Sequence, residues 1–430
     1  MRALFVTLFF VSIPMSALAQ LDGSNTENAT SKYVWTLEES INYALEHNIT
    51  IQQADLDLES ANLNYEQSKM NRLPNLSANV SQRLASGNSI DPITYDFINQ
   101  KSSATSVNLN SSLTLFNGFK NTNSIKQNEL VSQYTELLLE ETKNSIQVSV
   151  MEAYIQAFFS KEAVVIAQNQ LEASTKELEQ AEGLYNGRSL TLKDLNDVQA
   201  QHAQNQYNLL NAQVDYEQRV LSLKQLLELD ATVDLELVAP EKDFSTTWLE
   251  DQQHIYQAAL EFLPEVQASL SNIEINETNL DIAKGDLYPS LSLTAGLSSG
   301  YTNSQALNFS DQLEGNFSKS LGLSLSIPIF NRFSTSTNIQ QAKINIKQAE
   351  LNYEATQKEL YRNIESARDA ARSSYDLAQA QFNVGELTAT NLIVAQTAFN
   401  TAELNYLQAK YLTILYTQLI EFYQGNPITL

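Results

Sequence analysis

Few residues of this chain stand where their types and spacing could do chemistry. Arg188, Lys193 and Asp194 gather charge beside the break Tyr185-Asn186-Gly187-Arg188-Ser189-Leu190. An aspartate there can accept charge-assisted hydrogen bonds from a neighbouring chain, and an arginine can give them. Each also has a plainer reading. Asp194 suits the first turn of a helix, where the helix dipole stabilises an acid by about 0.3–1 kcal/mol. Arg188 suits a solvated turn. His47, His202 and His254 are scattered without a paired-ligand spacing, which argues against a metal site. There is no cysteine, so disulfides, thiolate ligands, cysteine nucleophiles and a lipid anchor on cysteine are excluded. No phosphate loop, triad or zinc motif occurs. Adjacent acids such as Glu140-Glu141 read as solvated helix face. The chain reads as a non-enzyme with no cofactor.

The ends and the charge indicate a compartment. Arg2, the apolar run Leu4 to Ile13 and Ala17-Leu18-Ala19 predict a cleaved signal peptide over 1–19. Without Arg2 the chain carries 50 acidic and 25 basic residues, a net charge of −25. Nucleic acid is therefore not an expected partner, because phosphate binding needs clustered Lys and Arg.

Four segments alternate with period two. Leu76, Ala78, Val80 and Leu84 oppose Asn75, Ser77, Asn79, Ser81 and Arg83. Val107, Leu109, Leu113 and Leu115 oppose Ser106, Asn108, Asn110, Ser112 and Thr114. The segments 290–299 and 317–329 repeat the scheme. An apolar row opposite a Ser/Asn/Thr row suits strands between lipid and a wet lumen. Phe116, Phe119, Tyr288, Tyr301, Phe330 and Phe333 lie near the strand ends, where interface aromatics belong. Four strands cannot close a membrane barrel, and an open edge in lipid is prohibitive. The chain must then oligomerise. Residues 87–102 and 300–316 are expected to be exposed loops.

Nearly everything else predicts long helices. The stretches 119–183, 191–228, 334–382 and 388–423 lack proline, and Ile339, Ala342, Ile346, Ala349, Tyr353, Thr356 and Leu360 step by 3 and 4. Gly187 and Gly385 mark hairpin turns, with glycine expected to supply a positive φ.

The whole arrangement occurs twice. Leu113 to Phe119 returns as Ile327 to Phe333, Leu73-Pro74 returns as Tyr288-Pro289, and Leu190-Thr191 returns as Leu387-Thr388. The predicted organisation is a signal peptide 1–19, an N-terminal extension 20–35, a first repeat 36–230, a linker 231–250, a second repeat 251–425 and a tail 426–430. The first repeat holds strands at about 74–86 and 103–116 and a helical hairpin at about 118–229. The second holds strands at about 289–300 and 317–330 and a hairpin at about 333–423. The second hairpin's descending helix is about 17 residues the shorter, since Phe116 to Leu190 spans 74 residues and Phe330 to Leu387 spans 57.

The duplicated helix–two strands–helical hairpin order, the two Phe-Asn-x-Phe corners, the turn Phe382-Asn383-Val384-Gly385-Glu386-Leu387 and the ending Leu419 to Pro427 resemble the TolC-type outer-membrane efflux family, in its Bacteroidetes-type form. The resemblance implies an α plus membrane β-barrel fold: a homotrimer with one 12-stranded outer-membrane barrel, continued by a 12-helix periplasmic α-barrel. It implies an exit duct for efflux or type I secretion. Its partners would be the lipid bilayer, a periplasmic membrane-fusion adaptor and an inner-membrane pump of RND, ABC or MFS type. It assigns the periplasmic gate to the hairpin tips, with Asp194, Arg188, Lys193, Phe382 and Asn391 as candidates. At the positions of the family's acidic ring this chain has Asn391 and Val394. The alternatives are an autonomous porin and a non-conducting trimeric coiled-coil scaffold.

Overall fold

The computed structural model describes residues 33–90, 97–238, 252–383, 411, 414–426 and 428. The signal peptide, Gly385, Asn391 and most of the stretch 388–423 lie outside the described residues.

The first unit opens with α1 (Leu37–His47) and α2 (Ile49–Met70). A capping box starts α1: Thr36 accepts from the Glu39 N–H, and Glu39 accepts from the Thr36 N–H at 2.8 Å. The break between the two helices is Asn48. Its side chain accepts from the Thr50 N–H and donates to the Leu226 carbonyl at 2.9 Å, which ties the joint to the far end of the hairpin. The second unit repeats these lengths. Its helices α5 (Gln252–Phe262) and α6 (Pro264–Gly285) count 11 and 22 residues, as α1 and α2 do, with Pro264 at the first helical position.

Each helix pair leads into a strand hairpin. β2 (Asn75–Ile90) pairs antiparallel with β3 (Phe97–Asn117), and β5 (Ser290–Thr302) pairs with β6 (Ser318–Ser326). The two hairpins join through β3 and β5 into one sheet of order β2-β3-β5-β6, with β2 and β6 at its edges. Two expectations are corrected here. Residues 87–90 and 97–102 are strand, because the ladder continues to Ile90↔Phe97. Residues 309–315 form a short helix, α7 (Phe309–Gly315), rather than open loop. The reason is Gln312. Its buried amide accepts from the Thr302 N–H at 2.8 Å and donates to the Thr302 carbonyl at 3.0 Å, serving the edge of β5 where β6 has ended.

From β3 the chain turns into α3 (Lys120–Asn186), and from β6 into α8 (Ser334–Asn383). Both corners hold two consecutive residues at positive φ, Gly118-Phe119 and Arg332-Phe333. At 1.5 Å per residue the 67 residues of α3 extend roughly 100 Å. α4 (Leu192–Leu226) returns along α3.

Two short strands lie in the described residues 33–35 and 231–238. β1 (Tyr33–Trp35) and β4 (Leu235–Leu237) pair in parallel and cap a core of Trp35, Leu37, Ile41, Val150, Met151, Tyr154, Phe158, Leu223 and Leu227. Tyr154 holds them together. Its hydroxyl lies 2.8 and 2.9 Å from the carbonyls of Trp35 and Val238 and accepts from the Val238 N–H. Burial pushes this phenol up to about 12. A second core, with Ile255, Ala259, Leu263, Val266, Leu360, Ile364 and Ile420, serves the second unit.

Candidate functional site

Two parts of the chain can act on something outside it: the sheet, and the tip of the first hairpin. On the sheet, strand alternation puts the apolar residues on one face. Leu76 is 71% exposed, Leu84 77%, Leu321 76% and Leu323 65%. In water, so much apolar surface on one contiguous face is costly; against lipid it is the expected wall. The opposite face is knitted by small polar groups. Ser81 and Ser106 meet at 2.7 Å and Ser298 and Ser318 at 2.6 Å. Toward the loop end of β5 the apolar face carries a polar patch, where Gln82 bonds Ser103 and Thr105 and Tyr301 lies opposite Thr105 in the ladder, with Leu84 beyond it. At the other end stand the aromatic corners, with Phe116 against Phe119 and Phe330 against Phe333, both edge-on.

At the tip, α3 ends in a Schellman closure. The Ser189 N–H donates to the Leu184 carbonyl at 2.8 Å, and the Arg188 N–H donates to the Tyr185 carbonyl at 2.9 Å. The positive φ belongs to Arg188, at 57°, while Gly187 has φ −73°. This corrects the expectation for Gly187. The closure places its left-handed residue one position later than the glycine. An arginine in that conformation costs roughly 1–2 kcal/mol relative to glycine.

Thr191 then caps α4. It accepts from the Asp194 N–H at 3.1 Å, and its hydroxyl donates to the Asp194 carboxylate at 2.7 Å. Within one chain Asp194 is therefore a helix-start residue, with lone pairs left for a neighbour. Lys193 pairs with Asp197 at 2.7 Å, and that hydrogen bond and charge hold its ammonium above the usual lysine range. Arg188 is exposed and has no ion-pair partner among the described residues. The tip also exposes Leu184, Tyr185 and Leu192, which the charge-led reading passed over, while Leu195 is buried. The pattern Thr-x-x-Asp before Leu195 was the readable sign of the cap. Phe382 falls in the last described turn of α8. Its side chain, like Gly385 and Asn391, lies outside the described residues.

No metal-binding cluster occurs among the described residues, and no helix there is long and apolar enough to cross a membrane. The latter says nothing against strands.

Comparison with known proteins agrees with this architecture. No curated protein matches the sequence. Among solved structures, CusC superposes with a TM-score of 0.75 at 17% identity, covering 91% of this chain and 92% of that one. The CmeC outer membrane channel of Campylobacter jejuni gives 0.73 at 17%, covering 90% and 85%. The outer membrane protein VceC of Vibrio cholerae gives 0.70 at 15%, covering 91% and 97%. The profile of the outer membrane efflux proteins matches residues 40–228 and 255–368. The chain belongs to the outer membrane efflux protein family.

Proposed function

We propose that three copies of this chain close a single 12-stranded barrel in the outer membrane, and that their helices continue it as a 12-helix tunnel through the periplasm. The assembly is the exit duct of a tripartite efflux or type I secretion system. A periplasmic membrane-fusion adaptor docks at the hairpin tips, and an inner-membrane pump of the RND, ABC or MFS type supplies the driving force. A signal peptide over 1–19 delivers the chain.

One observation carries this reading: a four-stranded sheet whose edges, β2 and β6, are unpaired among the described residues, and whose described large apolar residues are exposed on one face. In lipid the free edges leave backbone groups unpaired, and only neighbouring copies can satisfy them. The roughly 100 Å of α3 favours a duct over a porin, which needs no such extension. A polar, water-compatible sheet face favours a conduit over a non-conducting scaffold. At the tips, Asp194, Arg188 and Lys193 are the gate candidates of the first hairpin, and Phe382 and Asn391 those of the second. Exposed Leu184, Tyr185 and Leu192 give the adaptor an apolar foothold.

The test is the mass of the purified protein in detergent by light scattering. A trimer is expected. A monomer that retains its strand content sinks the proposal.

A further inference from the structure

The polar face of the sheet is almost free of charge. Across β2, β3, β5 and β6 it consists mainly of Ser, Asn, Thr and Gly. Among the described residues a single ionic group stands on it, Arg83. Lys101 and Lys319 fall on the opposite face, since Lys101 pairs with Ser86 and Lys319 with Leu297. Arg83 is exposed, and among the described residues it has no ion-pair partner. It lies on the edge strand β2, with Ala104 opposite on β3 and no described strand of its own chain on the other side.

The duplication says what stands on that other side. Asn75↔Ser112 in the first hairpin recurs as Ser290↔Ser326 in the second, so β2 maps onto β5 by 215 residues and β3 onto β6 by 214. The first unit meets the second through Asn108↔Ser298. The same joint between protomers then pairs Gly322 (108 + 214) with Arg83 (298 − 215) of the next copy. The transfer also pairs Leu321 with Leu84 and Leu325 with Val80 on the apolar face, and Ser324 with Ser81 on the polar face. Like meets like in these last three pairs, while the same transfer sets Leu323 beside Gln82. Gly322 adds no side chain to crowd the arginine.

We propose that Arg83 sets the charge selectivity of the barrel: three copies form a cationic collar on a lumen face otherwise free of charge among the described residues. This rests on the trimeric barrel proposed above. By this register Arg83 stands level with Gly322, one residue from Leu323, so the collar lies about midway along the apolar band. Twelve strands spaced by about 4.8 Å and tilted by about 40° give a backbone radius of roughly 12 Å. An extended arginine brings its guanidinium to within about 6 Å of the axis, inside the Debye length of about 10 Å at 0.1 M salt and outside the 3 Å of 1 M. The collar therefore reaches across the lumen at low salt. It favours anions and opposes cations.

The experiment uses the full-length protein in planar bilayers and reads the reversal potential in a KCl gradient at mean salt near 0.1 M and near 1 M. Each variant is first checked for trimer mass by light scattering. Arg83→Ser should raise the potassium-over-chloride permeability ratio about twofold or more at low salt. Arg83→Glu should raise it further. Arg83→Lys should preserve the wild-type ratio, and the differences should shrink at high salt. Lys101→Ser, on the outward face, should leave the ratio unchanged. A monomer overturns the barrel on which the collar depends. Trimers with one ratio whatever stands at position 83, or a shift as large from Lys101→Ser, overturn the collar while leaving the barrel intact.

Discussion

Arginine at Leu323 and at Ser324 separates a membrane wall from a soluble sheet by one position. Leu323 pairs with Leu293 across β5–β6 on the apolar face and is 65% exposed in the single chain. Along its own chain it stands six residues after Phe317 and seven before Phe330, midway between aromatics. The apolar band of a barrel is about 25 Å tall, so this is mid-depth, where an outward arginine costs ~2–4 kcal/mol. In a trimer the cost counts three times, about 6–12 kcal/mol, which rivals the total stability of an ordinary domain. Ser324 pairs with Ser292 on the polar face, where arginine stays hydrated. Leu323→Arg should therefore abolish most of the folded trimer, and Ser324→Arg should cost little. The assay is the fraction of protein that migrates as a folded, heat-modifiable trimer after membrane extraction, at matched expression. Equal losses, or a greater loss from Ser324→Arg, would refute the assignment of the faces. A sheet buried in a soluble core would be damaged by both.

Four further outcomes are expected. Arg188→Gly should stabilise the first hairpin by about 1 kcal/mol, since glycine takes φ 57° without the penalty an arginine bears; an unchanged or lower denaturation midpoint would refute this. Tyr154→Phe removes the hydroxyl that serves the backbone of Trp35 and Val238, and should destabilise the region around β1 and β4 by about 1–3 kcal/mol in chemical denaturation. Burial, and then the charge of Glu141, raise the carboxyl of Glu265, so its ionisation opposes folding; stability gains as pH falls through the raised value, and Glu265→Gln should raise the melting temperature at pH 7 but not at pH 4. Asp194→Ala should raise single-channel conductance without changing trimer yield, since Thr191 still caps the Asp194 N–H; unchanged conductance would leave Asp194 only its place at the helix start.

The elements were legible where one physical rule acts over many residues. Lipid on one side and water on the other enforce period two, so the faces of 75–84 and 106–115 could be read directly. Proline-free runs with apolar steps of 3 and 4 gave the long helices. What escaped notice depends on single side chains or on distant partners. Asn48 breaks the first helix through a bond to Leu226, 178 residues away. Tyr33–Trp35 and Leu235–Leu237 are too short to show a period, and they pair across 200 residues. At the tip a glycine suggests the left-handed turn residue, but the closure that forms puts it at Arg188. The charged residues there are the visible signal, yet Thr191 organises Asp194, and Leu184, Tyr185 and Leu192 supply the exposed apolar surface.

Duplication also let the two kinds of joint diverge. Inside the chain, the first corner meets the end of α6 so closely that a side chain at Gly118 would strike the carbonyl of Gly285, and one at Gly285 would strike Lys120. Lys120 closes this seam with an ion pair to Asp286 at 2.6 Å. The second corner has the same backbone, with Arg332 at φ 55° in the place of Gly118. Shifted by the repeat, Gly285 becomes Met70, Asp286 becomes Asn71 and Lys120 becomes Ser334. In the proposed trimer, a joint built from Arg332, Ser334, Met70 and Asn71 would have neither the glycine contact nor the ion pair. The close seam is the one inside each chain, where the two units are covalently linked. The looser joint would fall between copies, where protomers would have to find each other and close the sheet edges.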